Sequence, residues 1–222
     1  MKITVIPDLH GRHEMLNNIN LKNDYIIFLG DIFDSFDKSS QDQIKAFRDI
    51  QKLQISLGSR FIWLLGNHDL HYLELDNRYI RGSGFSNFNC LTYNQLLLEM
   101  KDYYYNFFVI ENNIFSHAGI MQLMLDEMGI DVEKLCEYKK YQKQPKQFYY
   151  IGYERGGEMP YSGMYWAGIN EFNSSPISRY NQIVGHTAVK KPFIKKMPTG
   201  ESHLFTDCEK VIEINLYQSL TF

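Results

Sequence analysis

Aspartates, histidines and one asparagine recur in this sequence at one kind of place, the end of an apolar run. The run 2–7 opens onto Asp8-Leu9-His10-Gly11, the run 25–29 onto Gly30-Asp31-Ile32-Phe33-Asp34, and the run 60–65 onto Gly66-Asn67-His68-Asp69. Residues 113–116 lead to His117-Ala118-Gly119, and 181–184 to Gly185-His186-Thr187. Imidazole nitrogens and carboxylate oxygens are ligands of first-row divalent cations. Two such ions roughly 3.5 to 4 Å apart can lower the pKa of a shared water towards 7 and clamp both oxygens of an in-line phosphoryl displacement. Asp8, His10, Asp31, Asn67, His117 and His186 are a complete ligand set for that work, with Asp31 placed to be held in common. Mixed nitrogen and oxygen ligation suits Mn, Fe, Zn or Ni better than Mg, which prefers oxygens and retained water.

These residues need elements to position them. Short apolar runs bounded by glycine and polar turns predict buried strands, and the carboxyl ends of such strands are where open α/β sheets keep their sites. After the first strand, Met15, Leu16 and Ile19 predict the inner face of a short helix over 12–20. Ser39 or Ser40 is an N-cap signal. Ile44, Phe47, Ile50, Leu53 and Leu57 then predict a helix that Gly58 closes. Strand, helix, strand, helix, strand implies a mainly parallel sheet with helices outside.

Residues 78–90, rich in glycine, serine and asparagine, predict a loop. A helix is expected over 93–103, a hairpin over 106–117 turning on Asn112-Asn113, and helices over 120–128 and 132–143. The segment 144–178 shows no regular element. Because it is aromatic rather than solvated, it is expected to be a lid that faces substrate. Residues 193–197, 203–206 and 210–214 predict short strands of a closing meander. The chain is expected to form one domain over 1–222.

Composition excludes several classes. A chain of 222 residues, 44% hydrophobic, can bury a sizeable core. A net charge of −3 gives no strong nucleic-acid signal and no pull towards an anionic membrane. Cys90, Cys136 and Cys208 are odd in number and in no metal-ligand spacing, which favours reduced thiols and a cytoplasmic setting. No apolar run approaches the roughly 20 residues that span a bilayer. Oligomeric state is not legible.

The five motifs, in this order from Asp8 to Thr187, resemble those of the calcineurin-like metallophosphoesterase superfamily. The resemblance implies an α/β fold, a two-layered mixed β-sandwich flanked by helices, around a binuclear metal centre with manganese the leading candidate. It implies Asp8 and His10 on one metal, Asp31 on both, and Asn67, His117 and His186 on the other. His68 would be the general acid that protonates the leaving oxygen, Asp34 would orient and charge it, and metal-bound hydroxide would be the nucleophile. An imidazole beside dications does need a carboxylate partner to stay protonated near neutral pH.

Gly11 and the Ser116-His117-Ala118-Gly119 segment are similar to the branch holding Ser/Thr protein phosphatases and symmetrical dinucleoside tetraphosphatases. That branch follows the second acid with Arg-Gly, whereas Ser35-Phe36 follows Asp34 here, and Trp166-Ala167-Gly168 lacks the later arginine. Phosphate must therefore meet another cation, and Arg12, Arg78, Arg81, Arg155 and Arg179 are the candidates, since arginine grips phosphate bidentately. The expected activity is that of a phosphomonoesterase or protein phosphatase, acting on a phosphoprotein or nucleotide. The alternatives are a nucleotide phosphoanhydride or phosphodiester hydrolase, and an inactive binding scaffold. His13, His71 and His203 are read as structural.

Overall fold

In a computed structural model, residues 1–142 and 144–216 are described. The strands are β1 (Lys2–Ile6), β2 (Tyr25–Phe28), β3 (Phe61–Leu64), β4 (Tyr104–Tyr105), β5 (Phe107–Ile110), β6 (Asn113–Ser116), β7 (Asn181–Val184), β8 (Phe193–Lys196), β9 (Ser202–Phe205) and β10 (Ile212–Asn215). The helices are α1 (Ser40–Leu57), α2 (Asn67–Leu73), α3 (Cys90–Glu99), α4 (Gln122–Met128), α5 (Val132–Leu135) and α6 (Ile169–Ser174). The backbone divides into two compact units, the first made of Met1–Tyr104 with the segment from Glu209, the second of Tyr105–Cys208. The result is a mixed α/β protein with two sheets flanked by helices.

The first sheet runs in the order β10-β1-β2-β3-β4. β1, β2 and β3 are parallel, in register Ile3 to Tyr25 and Ile26 to Phe61, so their carboxyl ends lie side by side. Ile3, Val5, Ile26, Ile27, Phe28, Trp63 and Leu64 are buried, as near-continuous apolar runs in a parallel sheet require. Ser39 caps α1 through the Asp42 amide, and the Asp42 carboxylate answers the Ser39 amide. The second sheet is β5-β6-β7-β9-β8. There β6 and β7 are parallel, as are β7 and β9, while β5 and β8 close the edges antiparallel.

Several expectations shift. The stretch 12–20 forms a 3-10 helix, His13–Asn18, that buries only Met15, too little apolar surface to nucleate an α-helix. α1 buries Gln43, Ala46, Phe47, Ile50 and Gln54 rather than the full Ile44/Leu53/Leu57 stripe. Both glutamines are hydrogen-bonded, to the Lys38 and Gly58 carbonyls, which makes an amide acceptable inside. The helix expected over 93–103 starts earlier, at Cys90, and gives way to a 3-10 turn over Lys101–Tyr103.

The hairpin turns on Glu111-Asn112, one residue earlier than expected, since Ile110 pairs with Asn113. α5 gives way to a 3-10 turn, Cys136–Tyr138, and Lys143, the last residue of that expected helix, lies outside the described residues. The segment 144–178 is no lid. It carries α6 and buries Phe148, Tyr161, Met164, Tyr165 and Trp166, so these side chains are core of the second unit, while Tyr153 is exposed. The closing meander is divided. β8 and β9 pair with each other, but β10 leaves for the first sheet and lies antiparallel on β1, Lys2 opposite Asn215.

Candidate active site

In the first unit the turn after β1 hangs on the turn after β2. The Leu9 and His10 amides both donate to the Asp31 carbonyl, at 2.9 and 3.0 Å, and Gly11 donates to Ile32 at 2.9 Å. His10, Asp31 and Asp34 all sit in the left-handed region, with φ of 42°, 60° and 64°. Each such non-glycine residue costs about 1–2 kcal/mol and persists only where its surroundings over-determine it.

Asp69, fully buried on α2, does much of the determining. Its carboxylate accepts from the amides of Asp31 (2.9 Å), Ile32 (3.0 Å) and Gly66 (3.0 Å). Burial and then the Asp31 charge push its carboxyl up, while those three amides pull the other way. Gly66 must be glycine here, because a Cβ on it would come within 2.0 Å of Asp31 Oδ1.

Asp34 is the second hub. Its Oδ2 takes His68 Nδ1 at 2.9 Å and His71 Nδ1 at 2.7 Å, and its Oδ1 takes the Tyr72 hydroxyl. Burial alone would raise its carboxyl; the hydrogen bonds from His68, His71 and Tyr72 outweigh that and hold it below the usual range. The tautomer of His71 follows from its other nitrogen. Gly82 N–H donates to His71 Nε2 at 3.0 Å, so His71 is neutral and its proton is the one on Nδ1.

His10 donates Nδ1–H to the Phe33 carbonyl at 2.6 Å, which turns Nε2 towards Asp31 Oδ2, 3.8 Å away. Burial lowers its pKa, so it is a neutral imidazole of the kind a metal needs. His10, Asp31 and His68 each offer an atom within 4.8 Å of one another. Asp8 and Asn67 are buried at the ends of the strand–turn segments beside them.

A pocket of about 100 Å³ opens here, lined by His10, Arg12, Asp34, Ser35, Phe36, Asp37 and His68. Arg12 reaches Asp37 at 3.3 Å and Glu209 at 3.0 Å. Of the arginines named from the sequence, it is the one on this pocket. Arg81 donates to the Leu75 carbonyl at 2.5 Å and lies 4.6 Å over the Phe85 ring. Arg78 opens a 3-10 turn, and Arg179, at φ 71°, lines a separate hollow of the second unit with Glu111, Asp131 and Tyr180.

In the second unit β6 and β7 deliver His117 and His186. The rings meet with Nε2 of His117 3.1 Å from Nδ1 of His186, and His186 is again left-handed, φ 64°. Two ring nitrogens so close suit a shared proton or a cation. The pair is held by Gly185 N–H on the His117 carbonyl (2.8 Å) and by Gln182, whose amide both accepts from and donates to the Ile120 backbone (2.9 and 2.8 Å). Arg155 donates to the Trp166 carbonyl (3.2 Å) and to Thr187 Oγ1 (2.5 Å), which fixes the residue after His186.

Asp69, Tyr72 and Gln182 carry no role in the sequence reading, although Asp69 stands inside a motif. It is an acid in the first turn of α2 that accepts the Gly66 amide, and an acid at a helix start is a signal that could have found it.

A sequence model of the calcineurin-like phosphoesterase family matches residues 1–149. The chain belongs to that family, whose members are metal-dependent hydrolases of phosphate esters, and its His and Asp clusters are candidate metal ligands. No curated protein sequence matches it. Among solved structures it is similar to a cold-active protein-tyrosine phosphatase of a psychrophilic Shewanella species. The TM-score is 0.64 at 15% identity, over 97% of this chain and 75% of the other. It is also similar to a protein serine/threonine phosphatase from Saccharomyces cerevisiae, with TM-score 0.56 and 14% identity over 99% and 78% of the two chains. Both show a shared fold. Among the described residues no helix is long and apolar enough to cross a membrane.

Proposed function

We propose that this chain is a binuclear metal-dependent phosphomonoesterase, acting on a phosphorylated protein or small molecule. Asp8, His10, Asp31 and Asn67 of the first unit and His117 and His186 of the second are the ligand sets. Bound there, the metals supply a water of lowered pKa and positive charge against the phosphate, with manganese the expected ion. The two units belong to one metallophosphoesterase domain on this reading, since the family match runs from the first into the second.

The observation that carries the reading is the Asp34–His68 pair. A scaffold has no need of a histidine hydrogen-bonded to a carboxylate that His71 and Tyr72 also hold in place. With Nδ1 on Asp34, His68 gives its proton from Nε2 to the leaving oxygen, and ionised Asp34 stabilises the imidazolium before transfer. Arg12 binds the phosphate oxygens. Its partners Asp37 and Glu209 are exposed, and such surface pairs are worth only about 0–1 kcal/mol, so phosphate can replace them. Cys90, Cys136 and Cys208 form no disulfide with one another, which fits a cytoplasmic location.

The test is phosphate release by manganese-loaded protein from p-nitrophenyl phosphate, bis-p-nitrophenyl phosphate and diadenosine tetraphosphate, alongside metal content by elemental analysis. Monoester turnover with two metals per chain, and fewer in Asp31→Asn, is expected. Preference for the diester or the dinucleotide would replace the proposal with a phosphodiesterase or nucleotide hydrolase. Silence on all three with an unchanged metal count would sink it.

A further inference from the structure

Phe33 and Phe36 lie in one short segment and have opposite fates. Phe33 is fully buried, its ring stacked 4.1 Å from Tyr93 and 6.0 Å from Phe47. Phe36 is 84% exposed, yet it lines the same pocket of about 100 Å³ as His68, His10 and Arg12. A lone exposed phenylalanine is ordinary on a protein surface. One held at the mouth of a pocket with a histidine–aspartate pair is placed to touch what enters.

The turn that presents it is fixed. Ser35 Oγ donates to Asp37 Oδ1 at 2.9 Å and accepts from the amides of Lys38 (3.0 Å) and Asp37 (3.4 Å), so the ring projects from a closed hydrogen-bonded loop.

Building on the esterase reading, we propose that Phe36 is a specificity residue that stacks on the leaving group, and that the preferred substrates are aryl phosphate monoesters, of which a phosphotyrosyl side chain is the biological form. The pocket has room for about one phosphate, and His68 addresses the oxygen that leaves. A ring stacked on Phe36 must therefore be bonded directly to that oxygen. A nucleobase does not qualify, because a sugar separates it from the nearest phosphate. In the reaction water adds to phosphorus, the bond from phosphorus to the phenolic oxygen breaks, and the His68 proton goes to that oxygen. The products are a free phenol and inorganic phosphate.

The experiment compares wild type, Phe36→Ala, Phe36→Tyr and Phe88→Ala, the last a control 95% exposed but not on the pocket. It reads the ratio of kcat/KM for phosphotyrosine over phosphoserine. It also reads calorimetric affinity for phenylphosphonate against propylphosphonate on the manganese-loaded protein. Phe36→Ala lowers the kcat/KM ratio about five- to tenfold, as loss of one aromatic pair should, mainly through KM; Phe36→Tyr and Phe88→Ala keep it.

If both esters turn over and Phe36→Ala leaves the ratio unchanged, or Phe36→Tyr loses it, the role of Phe36 is overturned and the esterase reading stands. If wild type is silent on both esters yet binds phenylphosphonate more tightly through Phe36, the esterase reading falls and the aryl preference stands. Equal affinity for the two phosphonates in a silent protein overturns both.

Discussion

The two units each meet the problem of fixing a turn that carries aspartate or histidine beyond a parallel strand, and they answer it with different chemistry. In the first unit the brace is a carboxylate. Asp69 collects three backbone amides and thereby pins Asp31 in a left-handed conformation. In the second it is a neutral amide, Gln182, which both accepts from and donates to Ile120, three residues after His117. The carboxylate does two things at once, since it holds the backbone and stands against the charge of Asp31, a residue proposed to bind cations. The glutamine only holds. The first unit also carries the His68–Asp34 pair proposed for proton transfer, so damage there should reach catalysis, whereas damage to the glutamine should reach mainly stability.

The widest separation is expected from His68→Ala. It should keep both metals and lose about 10²–10⁴-fold in kcat, and lose more with poor leaving groups than with p-nitrophenolate. A loss independent of leaving group would remove His68 from the role of acid.

Asp69→Asn against Gln182→Met sharpens the contrast between the braces. Asn offers one acceptor oxygen to three donors, so Asp69→Asn should cost about 2–3 kcal/mol in a urea titration and about 10–100-fold in metal affinity or turnover. Gln182→Met strips both hydrogen bonds from Ile120 and should cost a similar stability, with a much smaller change in kcat. Equal catalytic damage from the two variants would break the distinction.

The smallest effect on turnover is expected at His203, on β9, buried and stacked 4.2 Å from Phe172 with Nδ1 on Asn173 Oδ1. Burial pushes its pKa down to about 4 from 6.5. The folded state therefore resists a proton that the unfolded chain accepts. Its stability contribution is complete above about pH 6.5 and is lost as pH falls towards 4, by about 3 kcal/mol at most. His203→Gln should flatten the pH dependence of the urea midpoint over that window and leave activity at pH 7.5 near wild type.

How much of this was legible in the sequence differs between the two units. The strands and turns of the first unit, from Asp8 to Asp69, read directly because each apolar run ends on glycine or a ligand type. α1 announced its start through Ser39 and its end through Gly58, but not its buried face, because Gln43 and Gln54 look polar in the chain yet donate their side-chain N–H groups to nearby carbonyls. Residues 144–178 were misread for the opposite reason. Aromatics such as Tyr161, Tyr165 and Trp166 signal burial without a period, and nothing local separates a lid from a core built on 3-10 turns. Sheet membership was invisible for β10, since its alternation is the same whichever edge it joins. Among site residues the metal-ligand types were conspicuous, while Asp69 and Tyr72 were not, because a brace is recognised by what it accepts from or donates to.

That last strand also gives the molecule a timetable. β1 carries Ile3 and Val5 on a sheet edge that stays open until Ile212–Asn215 can pair with it. On a ribosome adding about 5–20 residues per second, the wait is about 10–40 s. Throughout that interval the nascent chain shows an apolar template to its neighbours. The demand for chaperone protection during synthesis should accordingly fall on β1 and ease once β10 pairs with it.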